Sequence, residues 1–401
     1  MTRGLSRTID QVAPSATLSL REEVVSLEKE YGFSILDLSA GQPDVGPSQD
    51  VEEALAAGAQ YHAYGPVQGD LDLRKAVSRV IREEHGLEYD VKDISIGVGA
   101  KGCLDVVLRV LLNPGDRVGI MAPFWVTYLE CVKIAHGVPC TLLPDAELRP
   151  ALDKLRGEIE ANGIKVLLYS SPCNPSGVVY TREELEQLAR IARDMDLWVI
   201  SDEIYKEFLF DGRRHESIAT LDGMRERTIL IDGPSKRFGV PGWRVGYAAG
   251  PGPVMRAVAK TQSHTTSASR PVQYAITVAY GSKQARAATE VMRRRYEKNR
   301  NLFADGLRNI EGVRCVRPEG AFYIFPSFEP LFGQRYEFAG SEHTVGDSVE
   351  LRNFLLRKAH VAGVEGEPFG MDGHIRFCLA TGEDVCLRAL DGIRQAVSEL
   401  H

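Results

Sequence analysis

Between residues 93 and 250 the chain repeats one pattern: a short unbroken apolar run, a polar break, then apolar residues at helical spacing. The runs are DISIGVG (93–99), DRVGIMAP (116–123), KVLLYSSP (165–172), LWVISDE (197–203), TILIDG (228–233) and RVGYAAG (244–250). Runs this short, without polar alternation, predict strands buried on both faces. The first three lead into KGCLDVVLRVLL, WVTYLECVKIAHG and TREELEQLARIARDM, which predict helices. Thr181 and Glu184 of the last form a capping-box signature, each side chain placed to satisfy a backbone N–H of the first turn. Strands alternating with helices predict an α/β fold with a mainly parallel sheet sandwiched by helices. In such sheets ligands bind beyond the carboxyl ends of the strands.

The texture changes after about residue 284. Two long charged helices, ARAATEVMRRRYEKNRNLFADGLRNI and EDVCLRALDGIRQAVSEL, flank the short strand candidates AFYIFP and HIRFCLA. This predicts a smaller α+β domain, joined by an early helix, REEVVSLEKEYG. The expected division is an N-terminal arm and small-domain segment (1–45), a large domain (46–284) and a small C-terminal domain (285–401).

The net charge of −7 over 401 residues argues against a nucleic-acid partner. The basic stretch MRRRYEKNR (292–300) then reads as a solvated helix face. Seven cysteines without a CxxC pair suggest neither a zinc site nor a disulfide framework, so reduced thiols and no metal are expected. The opening MTRGLSRTID lacks a signal-peptide apolar stretch, and no run approaches the roughly 20 residues that span a bilayer. A cytoplasmic protein without a membrane partner is the expectation.

Four loops after these strands carry chemistry. GVGAKG (97–102) opens a helix with small residues, exposing backbone N–H groups for a phosphate or carboxylate, or else making a tight turn. SPCNPSG (171–177) holds the amide of Asn174 at a strand end. SDEIY (201–205) ends a strand on Asp202, whose carboxylate needs either a salt-bridge partner or a protonated ring nitrogen. GPSKRFGVPGWRVG (233–246) combines four glycines with Lys236 and Arg244. Lysine can lose its proton when desolvated and form a Schiff base with an aldehyde, whereas arginine stays charged and can grip a phosphate. A reactive lysine, a phosphate clamp and a ring-nitrogen partner together describe a pyridoxal 5′-phosphate (PLP) site. GVGAKG also fits a dinucleotide-binding GxGxxG, but RVGIMAP ends in proline where that fold needs an acidic residue.

The ordered series LSAGQPD, YGPVQGDLDLR, GAKGCLD, PFWVTY, SPCNPSG, SDEIY, SKRFGVPGWRVGY, PEGAFYIFP and IRFCLAT resembles the fold-type I, class I/II PLP-dependent aminotransferases over nearly the whole chain. The resemblance implies a seven-stranded large-domain sheet. It also implies that Lys236 forms the Schiff base and moves the proton, with Asp202 on the pyridine nitrogen. Tyr205 and Asn174 would bond the ring's phenolic oxygen and Trp125 would stack on the ring. Ala100, Lys101, Ser235 and Arg244 would hold the phosphate, joined by Tyr64 from a neighbouring subunit, so a homodimer is expected. Arg376 would fork the substrate α-carboxylate with Asn174 and the backbone of Gly41. The reaction implied is ping-pong transfer of an amino group between an L-amino acid and a 2-oxo acid.

PSAT (14–17), GAKGCLD and PFWVTY are closest to the bacterial aspartate aminotransferase subgroup, in which Lys101 and Ser15 would meet a distal carboxylate. Aspartate and glutamate are therefore the expected donors, with prephenate chemistry as a further candidate. There are departures: Cys173 for an asparagine, GQPD for GEPD, FGVPG after the lysine, and the segment 327–347, rich in aromatics and charges. Arg270 lies in a loop that approaches the active site in relatives. The same fold supports β-elimination, decarboxylation or cyclisation, which is the alternative. A PLP-sensing regulator would need a DNA-binding domain ahead of motifs that begin near residue 14.

Overall fold

A computed structural model describes residue 4 and residues 6–401 of the chain. Its centre is a seven-stranded sheet of β1 (Ile94–Gly97), β2 (Arg117–Met121), β3 (Val138–Leu142), β4 (Ile164–Ser170), β5 (Trp198–Asp202), β6 (Thr228–Asp232) and β7 (Gly246–Ala249). The spatial order is β1-β7-β6-β5-β4-β2-β3. Only β7 runs against its neighbours, pairing antiparallel with β1 and β6. The mainly parallel α/β architecture expected from the apolar runs is present.

The strands lack alternation because both faces are covered. Val166 and Leu168 pack with Val107 and Val258 in one helical layer, while Leu167 and Tyr169 pack with Leu185 and Leu188 in the other. The helix Arg182–Asp194 starts on the capping box formed by Thr181 and Glu184. The edge strand β3 escaped the sequence pattern, because only Leu142 of its five residues is buried and it contains Pro139. Edge position explains both features, since one side of the strand needs no ladder partner.

A separate core lies C-terminal to this sheet. Phe303 and Leu307 of the helix Lys283–Arg308 meet Ala389 and Ile393 of the helix Glu383–Ser398. Both pack on a three-stranded antiparallel sheet ordered Val364–Glu365, Ile375–Cys378, Tyr323–Ile324. Leu36–Asp37 pairs in parallel with Val361–Ala362, tying the early segment to this part of the chain. The helix Ala16–Tyr31 places Leu20 and Val24 among residues of both parts, including Leu142 and Phe369.

The stretch 292–300 is helical but is not simply a solvated face. Arg294 and Lys298 are exposed, whereas Arg300 is fully buried, bonding Asp211 at 2.7 and 2.9 Å under the ring of Phe210. The four-residue periodicity turns that arginine inward, where the ion pair and the Phe210 ring replace its water. The segment 327–347 folds over the second core through Phe328, Leu331, Tyr336 and Val345, with a hairpin of Arg335–Phe338 and Ser341–Thr344. All seven cysteines are free thiols. Among the described residues no helix is long and apolar enough to cross a membrane.

Candidate active site

Sheet register brings the chemical loops together. Ser170 of β4 is paired with Asp202 of β5, and Gly97 of β1 with Gly246 of β7. The second pairing sets the start of the helix Gly99–Leu111 against the Arg244 turn. Gly99 has φ +73°, and a Cβ there would run into the Arg244 guanidinium; one at Gly246 would strike Ala100 N. Two glycines thus let backbone and guanidinium close on one spot, beside the positive end of a helix.

These ends frame a cavity of about 570 Å³. Lys236, Asp202, Tyr205, Asn174, Trp125 and Ser235 line it, as do Ala100, Lys101 and Arg244. Ser15, Gly41 and Arg376 reach it from outside the seven-stranded sheet. Tyr64 does not: it is fully exposed, in a surface cleft that also contains Arg270. Arg270 is held by Asp70 at 3.0 Å and lies over Tyr61, so within one chain its loop stays outside the cavity. No residue of 327–347 lines the cavity either.

Lys236 sits at the end of the four-residue helix Pro234–Arg237 and donates from Nζ to Gly41 O at 2.5 Å. Burial pushes its amine down to about 8, with Arg376 and Arg244 acting in the same direction. Asp202 is buried, and among the described residues no cation pairs with it. Its Oδ2 accepts from Tyr128 Oη at 2.6 Å and its Oδ1 from Ile204 N at 3.2 Å. Burial pushes this carboxyl up to about 6, against the lowering effect of those two donors.

Arg376 is also buried. Its Nη2 donates to Ser39 O at 2.6 Å, and Nη1 to Asn174 Oδ1 at 3.3 Å. Nε has no partner among the described residues, and the guanidinium lies 4.8 Å from the ring centre of Tyr323. Tyr323 in turn shares a 2.8 Å hydrogen bond with Tyr205. Lys101 places Nζ 5.0 Å from the ring centre of Trp125 and pairs with no carboxylate among the described residues. Cys173, the departure from asparagine, donates its thiol to Pro123 O and stays out of the cavity lining.

Sequence reasoning missed Tyr128, Tyr323, Ser170 and Gln42, all of which line the cavity. Tyr128 lies in PFWVTY and Tyr323 in PEGAFYIFP, motifs recognised without a role for those hydroxyls. Position in a motif was the only signal, because a tyrosine in an apolar stretch reads as core.

The sequence profile of the family described as Aminotransferase class I and II matches residues 34–393. The chain belongs to this family. An aspartate/prephenate aminotransferase of Thermus thermophilus is 36% identical over 397 residues, covering 97% of each chain. The solved structure of the aspartate aminotransferase from Rhizobium meliloti superimposes with TM-score 0.92 at 31% identity, covering all of both chains. That of the Thermus thermophilus enzyme with maleate gives 0.89 at 34% identity, covering 98% of this chain and 100% of that one. This aminotransferase is accordingly a PLP-dependent transferase.

The cavity fits that cofactor on three observations. Asp202 is a buried carboxylate without a cation, which a protonated ring nitrogen supplies. The cradle at Gly99, Gly246 and Arg244 suits a phosphate. Lys236 has its amine lowered toward the neutral, nucleophilic form.

Proposed function

We propose that this aminotransferase acts on dicarboxylic L-amino acids, with aspartate and glutamate as donors and 2-oxo acids as acceptors. The observation that carries this reading is one cavity lined by Lys236, Asp202, Arg376 and Lys101, with two cations for substrate beside the lysine. Bound PLP supplies an aldehyde that accepts the amine and a ring that takes up the electron pair left at Cα. Asp202 would keep the ring nitrogen protonated, and Tyr128, donating to Oδ2, favours the charged carboxylate. Tyr205 and Asn174 would bond the phenolic oxygen, and Trp125 would cover the ring. Ala100, Lys101 N–H, Ser235 and Arg244 would hold the phosphate.

Arg376 grips the α-carboxylate, using the Nε that has no protein partner. Burial removes competing water, so two N–H bonds fix the substrate's orientation. Asn174, the Gly41 backbone and the Tyr323 hydroxyl set its position. Lys236 Nζ, its amine lowered to about 8 and so partly neutral at that pH, would take the Cα proton and hold it for return. Lys101 Nζ and Ser15 meet the distal carboxylate. A Thermus thermophilus relative solved with maleate, a dicarboxylate, supports this choice.

Two further parts belong to this reading. The division at about 46 and 284, with 1–45 and 285–401 closing over the cavity, is supported by the separate core around Phe303 and Ile375. A homodimer in which Tyr64 completes the neighbouring phosphate site is supported by its full exposure away from its own cavity. Absorbance of the yellow holoenzyme tests the reaction. L-aspartate and L-glutamate convert it to the pyridoxamine form, and L-alanine does so at least about tenfold less efficiently. Equal conversion by alanine would remove the dicarboxylate assignment. Sedimentation and a Tyr64→Phe with Lys236→Ala mixing experiment test the shared site, since hybrids regain one working site only if it is shared.

A further inference from the structure

Behind the cofactor cavity the chain assembles a second cluster. His85, Glu203 and His215 each offer one ligand atom, all within 4.8 Å of one another. Their side chains are 3%, 2% and 7% exposed. Glu203 Oε2 stands 3.5 Å from His85 Nε2 and 3.9 Å from His215 Nδ1. Among the described residues neither of these two imidazole nitrogens has a hydrogen-bond partner. Two buried nitrogens therefore face a carboxylate oxygen without bonding to it, an arrangement that leaves desolvated polar atoms unsatisfied.

The surrounding bonds decide the protonation. His215 Nε2 lies 3.0 Å from Ser171 O, and a carbonyl only accepts, so Nε2 carries the proton. In the neutral ring Nδ1 is then a lone pair turned toward Glu203. The other carboxylate oxygen, Oε1, is anchored by Ser217 Oγ at 2.6 Å and Ser201 Oγ at 3.1 Å. Each of these two ligands is thus oriented by an outer partner, as metal-binding imidazoles and carboxylates are. Lys206, a cation in the same wall, is already neutralised by Glu84 and Asp232 at 2.8 Å each. A cleft bordered by His85, His215 and Ser217 gives access from solvent.

We propose that His85 Nε2, His215 Nδ1 and Glu203 Oε2 form a binding site for a divalent transition-metal ion, zinc first. Two imidazoles and a carboxylate suit zinc, and tetrahedral ligation at about 2.0–2.2 Å sets donors about 3.4 Å apart. The two distances to Glu203 Oε2, 3.5 and 3.9 Å, lie close to this, and the two imidazole nitrogens, within 4.8 Å of each other, close on the ion by rotation of the rings. A solvent molecule from the cleft takes the fourth position. The ion ties the end of the helix Leu71–His85 to the segment carrying His215 and to Glu203, next to Asp202. It also braces Ser171, next to Ser170 in the cavity wall, and so acts as a structural clamp behind the cofactor site.

The test uses tag-free holoenzyme, stripped with chelator, dialysed against zinc chloride and desalted. The expected result is about one zinc per chain by mass spectrometry, a raised Tm with zinc and none with magnesium. X-ray absorption at the zinc edge then shows nitrogen and oxygen ligands with imidazole scattering and no sulfur. His85→Asn and His215→Asn weaken zinc binding at least about tenfold while keeping the cofactor absorbance. The wild-type absorption spectrum stands alone if either variant fails to fold. Substoichiometric zinc, sulfur ligation, or equal affinity in wild type and a folded variant would overturn the site; a proton would then bridge the cluster instead.

Discussion

Tyr128 donates its hydroxyl hydrogen to Asp202 Oδ2 at 2.6 Å, and both side chains are buried. This bond lowers a carboxyl that burial otherwise pushes up. Tyr128→Phe removes the donor and leaves the oxygen desolvated, so Asp202 takes up a proton more readily. A hydrogen bond to a charged group is worth about 1.5–3 kcal/mol, and cofactor affinity at neutral pH should fall roughly ten- to a hundredfold. Measuring PLP retained after gel filtration against pH checks this. Wild-type retention falls as pH drops through about 6, and the variant's midpoint lies higher.

The same carboxyl makes a stability prediction for the apoprotein. Its folded pKa, about 6, exceeds the ordinary value near 3.9, so the unfolded chain releases the proton first. This group's contribution to apoprotein stability is therefore lost as pH rises from about 4 to 6. Asp202→Asn should flatten that part of a denaturant-midpoint profile.

Lys236 has the opposite displacement, down to about 8. Only the neutral amine attacks an aldehyde, so the rate of apoenzyme reconstitution with PLP should rise about tenfold per pH unit and level off above about 8. Borohydride should fix a pyridoxyl mass on the Lys236 peptide. Lys236→Ala should show neither, and should lose transamination by at least about 10³-fold.

Arg376 and Lys101 should separate in their effects. Arg376→Lys keeps the charge but loses the fork, and should lower kcat/KM for every amino acid by about a hundredfold. Lys101→Met should lower it for aspartate and glutamate about tenfold while leaving alanine nearly unchanged. Steady-state kinetics with the three donors distinguish the cases.

The buried Arg300 depends on Asp211, whose side chain is 53% exposed. Breaking a fully buried pair costs about 3–5 kcal/mol, and the exposure of Asp211 reduces this to about 2 kcal/mol for Asp211→Asn. Asparagine also tolerates the positive φ of 57° at that position, so the loss measures charge rather than backbone strain. A denaturant midpoint shift at constant slope checks it.

Six strands of the large sheet, three of the helices between them and the capping box were legible because each is local. Continuous apolar runs mark burial on both faces whatever the partner strand is. The edge strand Val138–Leu142 was not, since its burial depends on having one neighbour. Lys236, Asp202, Asn174 and Arg244 could be singled out because chemistry needs those residue types at strand ends. Arg300 could not be placed, because helical spacing gives a face and not what lies opposite it.

The sequence by itself determined the layered α/β plan and the chemistry-bearing residue types at its strand ends. Both rest on residue type and short-range period. Tertiary structure alone decided which groups share a cavity, and what burial does to Lys236 and Asp202. It alone brought His85, Glu203 and His215 together from distant parts of the chain. Desolvation and charge coupling act through space, and distance along a chain does not encode them.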